Sequence, residues 1–134
     1  MQRVIECLSR NRMAVRLVLI AYWCLMFVGT HVPKVPDALE QVSDKTLHFL
    51  AYCGLSVLLV IDAAARRRVT GRLLIGFAAL CAVYGIADEL LQIPVGRSAD
   101  VRDWLADMRG VATGMAVIVV AGWFGGAFNR NARD

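Results

Sequence analysis

Charge is scarce in this chain: only 19% of its 134 residues are Asp, Glu, Lys or Arg, while 58% are apolar. An ordinary soluble domain carries about a quarter charged residues and fewer apolar ones, so composition excludes that class. The mean hydropathy of +0.56 agrees. Metal-ligand spacing is missing from the four cysteines, Cys7, Cys24, Cys53 and Cys81. The last three stand within apolar runs, where a free thiol behaves as a small hydrophobe, which speaks against disulfides and a metal site. There is no Gly-rich phosphate loop, internal repeat, low-complexity segment or Ser-His nucleophile spacing. No cofactor is expected.

What is present is a set of four long apolar runs: Met13 to Val32, Thr46 to Ala65, Leu73 to Leu91 and Val111 to Phe128. Each is near the roughly 20 residues that span a bilayer. They predict an all-α integral membrane bundle of four transmembrane helices, with residues 1–134 forming a single domain. Arg3, Arg10 and Arg12 resemble the n-region of a signal peptide, but the apolar run is long and no A-x-A-like site follows it, which favours an uncleaved anchor. Arg16 must then snorkel. Tyr22 and Trp23 lie deep and predict buried packing. Residues 1–12 read as a charged flank, with a short interfacial helix as the alternative.

Orientation follows the basic residues, because Lys and Arg in short loops stay cytoplasmic. Arg3, Arg10, Arg12, Arg16, Arg66, Arg67, Arg68, Arg72, Arg130 and Arg133 fall on one side. Lys34, Lys45, Arg97, Arg102 and Arg109 fall on the other, with Asp37, Glu40, Asp44, Asp88, Glu89, Asp100, Asp103 and Asp107. Both termini are expected in the cytoplasm, with the acidic face outward. The formal net charge of +4 is the sum of these two rims and implies no nucleic-acid partner. The basic rim suits membrane lipids.

The segment from Tyr84 to Gly114 sets Asp88, Glu89, Gln92, Arg97, Asp100, Asp103 and Asp107 between apolar runs. An ionisable residue near hydrocarbon depth is paired, hydrated or functional. Steps of four place Asp44, His48 and Tyr52 on one stripe of the second helix, with Lys45 beside the first. The bland reading has Asp44 as an N-cap, Lys45 snorkelling, and His48 bonded to Tyr52. The sharper one gives His48 proton transfer or anion binding. Asp88 and Glu89 close the third helix before Pro94, where the macrodipole opposes negative charge, so they require partners. Lys45, His48 and Arg97 are the candidates, and cross-helix pairing to Lys45 or Arg97 is expected. In the fourth helix Asp100, Asp103 and Asp107 run into a Gly110-x-x-x-Gly114 packing seam, with Trp104 at the interface. Asp62 and Arg66 to Arg68 read as a solvated topological charge run.

Three blocks in order, D-K-x-x-H-F-x-x-Y from Asp44, Y-G-x-x-D-E-x-x-Q from Tyr84 and G-R-S-x-D-x-x-D-x-x-x-D-x-x-G-x-x-x-G from Gly96, resemble the VanZ-like family of small bacterial membrane proteins. The resemblance covers residues 44–114. It implies family positions at Lys45, His48, Glu89, Gln92, Arg97 and Asp103, a place in the bacterial cytoplasmic membrane, and a link to the low-level teicoplanin resistance that gave the family its name. The chain departs from a common form of the pattern, which has Asn at the position of Asp107 and a small residue at that of Arg109.

Three functions compete. In the first, Asp44, Lys45, His48, Tyr52, Glu89, Gln92, Arg97, Asp103 and Asp107 line an outward-facing pocket for a lipid headgroup, such as a phosphate, or for an envelope ligand. In the second, Glu89 or Asp103 is base or nucleophile and His48 the acid of a membrane-embedded hydrolase or transferase. In the third, the ions form a structural or regulatory scaffold.

Overall fold

The computed structural model describes residues 10–31, 42–66 and 68–124. They form four helices and no strand: α1 (Arg12–Thr30), α2 (Asp44–Ala64), α3 (Gly71–Gln92) and α4 (Val101–Phe124), with a 3-10 turn at Ile93–Val95 between the last two. All four are long and apolar enough to cross a membrane. The expectations for residues 1–9, for Lys34, Asp37, Glu40 and Arg67, and for Arg130 and Arg133 lie outside the described residues.

Local signals set the helix ends. The Ser43 side chain accepts the Thr46 N–H at 3.2 Å and starts α2. Asp44, expected as the cap, stands one residue inside the helix and its carboxylate turns to Arg97 instead. Thr70 caps α3 in the same way, accepting from Leu73 N at 3.3 Å. Beyond Gln92 the chain tightens at Pro94 and reverses at Gly96, whose φ of 83° disfavours any residue with a Cβ. That reversal returns Arg97 to the bundle.

Helix α4 begins at Val101, ahead of the apolar run expected from Val111. Its added turns bury Asp103 and Asp107 against other helices. Residues 125–128 of the expected span lie outside the described residues.

The most extensive contact joins α2 to α4. It is made by the predicted seam: a Cβ on Gly110 would collide with the Phe49 carbonyl, and one on Gly114 with Ser56 Oγ and the Cys53 carbonyl. On the other side α1 lays the Tyr22 ring over Gly54, where any Cβ would strike the phenol, and Tyr22 donates to Ala51 O at 2.9 Å. Trp23 meets Tyr84 edge-on at 5.2 Å. Both rings pack against the core but are only partly buried, short of the buried packing expected of them.

Polarity is inverted relative to a soluble protein. Leu17, Leu25, Ile75, Val83, Leu90 and Val117 face outward, while His48, Asp88, Glu89, Gln92, Asp103 and Asp107 are each no more than 6% exposed. This is the arrangement of a multi-pass membrane protein, with apolar side chains toward lipid and ionisable groups paired within the bundle.

Candidate functional site

The polar groups gather where α2 begins, α3 ends and α4 begins, in two layers. At the rim, Arg97 donates to both Asp44 oxygens, at 2.7 and 2.9 Å, and to the Thr30 carbonyl at 3.1 Å. Lys45 lies 3.2 Å from Asp103 and 3.6 Å from Asp100. Asp100 accepts from the Arg102 N–H at 2.8 Å. That bond, assisted by Lys45 and Arg102, holds its carboxyl below the usual carboxylate range.

Beneath the rim, His48 Nδ1 is 2.9 Å from Asp107 Oδ1 and 3.8 Å from Glu89 Oε1. The other Glu89 oxygen accepts the Asp100 backbone N–H at 2.8 Å, tying the end of α3 to the start of α4. Asp88 turns toward α1, accepting from Thr30 Oγ1 at 3.0 Å and from Gln92 Nε2 at 3.3 Å, with His31 Nδ1 at 3.7 Å. All four helices therefore contribute to the binding of the inner acids. Helix periodicity explains the convergence, since residues four apart on α2 and on α4 face the same seam.

Several buried polar atoms in this region have no hydrogen-bond partner: Tyr52 OH, Tyr84 OH, Glu89 Oε1 and Asp107 Oδ2. A cavity of about 250 Å³ with an almost wholly apolar surface opens between α3 and α4, walled by Ile86, Leu90, Val101 and Trp104, with Glu89 and Asp100 also on its lining. Trp104 is fixed by donating its indole N–H to the Ala82 carbonyl at 3.1 Å.

With this geometry described, comparison with known proteins is informative. The family model VanZ/LLP1 matches residues 7–122. The chain belongs to the VanZ/LLP1 family. No curated protein and no solved structure matches it.

The VanZ/LLP1 match extends beyond the motif blocks at 44–114 to the first helix, which the structure also brings into the polar cluster through Thr30 and His31. All nine expected pocket residues, Asp44, Lys45, His48, Tyr52, Glu89, Gln92, Arg97, Asp103 and Asp107, come to this one end. Two pairings differ from expectation. Asp88 and Glu89 pair with neither Lys45 nor Arg97, because the turn at Gly96 directs Arg97 to Asp44 and the first turn of α4 brings Asp103 and Asp100 to Lys45. The expected bond between His48 and Tyr52 is likewise replaced by that to Asp107.

Sequence reasoning also missed a second ionic centre at the arginine-rich end. Asp62, read as solvated, is 7% exposed and bonded to Arg16 at 3.0 Å and Arg66 at 3.1 Å. The available signal was an acid and an arginine each inside an apolar run.

Proposed function

We propose that the polar end of this VanZ/LLP1 protein receives the head of an envelope lipid or lipid-linked ligand, presented on the outer side of the bacterial cytoplasmic membrane with both termini in the cytoplasm. The apolar cavity beside Glu89 carries this reading. Its apolar walls between Leu90 and Trp104 suit part of an acyl or isoprenoid chain, with the head beside Glu89 and Asp100.

The charge balance selects the head. Lys45 and Arg97, the expected anion ligands, are already engaged by Asp100, Asp103 and Asp44. A phosphate has to displace a carboxylate, whereas a head rich in hydroxyl, amide or ammonium donors meets the Glu89 and Asp100 side of the cavity without doing so. A link to teicoplanin susceptibility follows from altering how such a ligand is presented outside the cell.

A second reading is favoured by the His48–Asp107 bond with Glu89 alongside, which gives an oriented imidazole next to a carboxylate, suited to acid-base chemistry on the same head.

Native mass spectrometry of the purified protein with defined lipids tests both. Retention of donor-headed lipids over phosphatidic acid is expected, and it is lost in Leu90→Trp, which fills the cavity. Equal retention by parent and Leu90→Trp rejects the binding site. Glu89→Gln retains lipid in either reading; a chemically altered head formed by the parent but not by this variant establishes catalysis.

A further inference from the structure

We propose that His48, Glu89 and Asp107 form a binding site for a first-row divalent cation of the Zn2+ or Mn2+ class, buried between α2, α3 and α4. The inference uses residues of the same polar end but does not depend on the lipid reading.

The ligand atoms are already assembled. Each of the three side chains offers one atom, and these atoms lie within 4.8 Å of one another. A tetrahedral ion with bonds near 2.1 Å sets neighbouring ligands about 3.4 Å apart. The observed separations from His48 Nδ1, 2.9 Å to Asp107 and 3.8 Å to Glu89, fall on either side of that spacing. The Glu89 and Asp107 oxygens lie within 4.8 Å of each other, so side-chain rearrangement converts the hydrogen-bonded cluster into a coordination set.

Charge and bonding capacity point the same way. Among the described residues, Glu89 and Asp107 have His48 as their only ionic partner and no Lys or Arg. Two buried carboxylates facing one imidazole leave negative charge uncompensated where desolvation is costly. A divalent cation offsets both. The unpartnered atoms Glu89 Oε1 and Asp107 Oδ2 belong to the proposed ligands, and a third, Tyr52 OH, lies near Asp107 Oδ2 beside Gly85. Tyr52 is fully buried, and its hydroxyl and Asp107 Oδ2 lie 3.4 and 3.2 Å from the point where a Cβ on Gly85 would stand. Trp104 Cδ1 stands 3.0 Å from the same point, so the surroundings of Gly85 are close-packed and Tyr52 is the oxygen on hand to complete the shell.

The donor set narrows the ion. An imidazole with carboxylates suits Zn2+, Mn2+ or Fe2+, while Ca2+ and Mg2+ favour oxygen alone. A neighbouring group of Asp44, His48 and Asp103 also lies within reach of a cation. Its carboxylates are already neutralised by Arg97 and Lys45, so it competes poorly.

The test uses the full chain in detergent, freed of any polyhistidine tag, stripped with chelator and titrated with Zn2+ and Co2+. One ion per chain is expected, with a tetrahedral Co2+ absorption band that Zn2+ displaces. Glu89→Gln and Asp107→Asn should each weaken binding by at least about tenfold, whereas His31→Gln should bind as the parent does. Absence of stoichiometric binding by the parent, or unchanged binding in either ligand variant, overturns the proposal. If a variant does not fold, the parent's Co2+ spectrum decides, since a six-coordinate or absent band also overturns it. Lipid retention measured without metal is a separate result, so the two proposals fail independently.

Discussion

His48 Nδ1 and Asp107 Oδ1 approach to 2.9 Å across the α2–α4 seam, and neither residue is more than 2% exposed. Removing one partner of such a buried pair leaves the other unsatisfied, at a cost of about 3 to 5 kcal/mol. His48→Ala is therefore expected to lower the thermal unfolding temperature in detergent substantially. Asp107→Asn retains an accepting oxygen and should lower it far less; equal losses would mean that the carboxylate charge, not the bond, stabilises the seam.

The seam itself tolerates no added atom. Gly110→Ala and Gly114→Ala introduce a Cβ into the Phe49 and Cys53 backbone, whereas Gly29 and Gly76 have nothing within 4 Å of theirs. Overpacking costs about 1 to 3 kcal/mol, and more where only backbone can yield. Folded yield should fall for the first two variants and not for Gly29→Ala or Gly76→Ala.

At the rim, Arg97 Nη2 donates to both Asp44 oxygens, and the pair is partly open to solvent. A double-mutant cycle on this pair should return a coupling of about 1 kcal/mol that shrinks as salt is added. Arg97→Lys should also loosen the end of α1, because a lysine cannot span Asp44 and the Thr30 carbonyl together. Faster hydrogen exchange at the end of α1 in that variant is the expected readout.

The proposed orientation is read directly by labelling. On a background without native cysteines, Ser98→Cys should react with an impermeant reagent added outside intact cells and Arg72→Cys should not, both positions being exposed. The opposite pattern reverses the topology.

Much of the fold was legible because helical spacing acts locally. Asp44, His48 and Tyr52 four apart, and Gly110 and Gly114 four apart, each identified the face that the structure buries. Partner choice was not legible, since it depends on where separate helix ends meet. The left-handed turn at Gly96 decides that Arg97 serves Asp44, and the placement of Thr30 beside α3 decides that Asp88 serves α1. The same limit hid Asp62, whose arginine partner Arg16 lies 46 residues away in the chain.

Helix α1 is fastened at both ends, by Arg16 to Asp62 and by Thr30 to Asp88 and Arg97, while only 17% of its membrane-crossing window is buried. The distance between those fastenings is fixed by α2 and α3, so α1 has little freedom to tilt on its own. Those two fastenings are therefore where a bilayer thinner or thicker than the apolar length of α1 is expected to place its load.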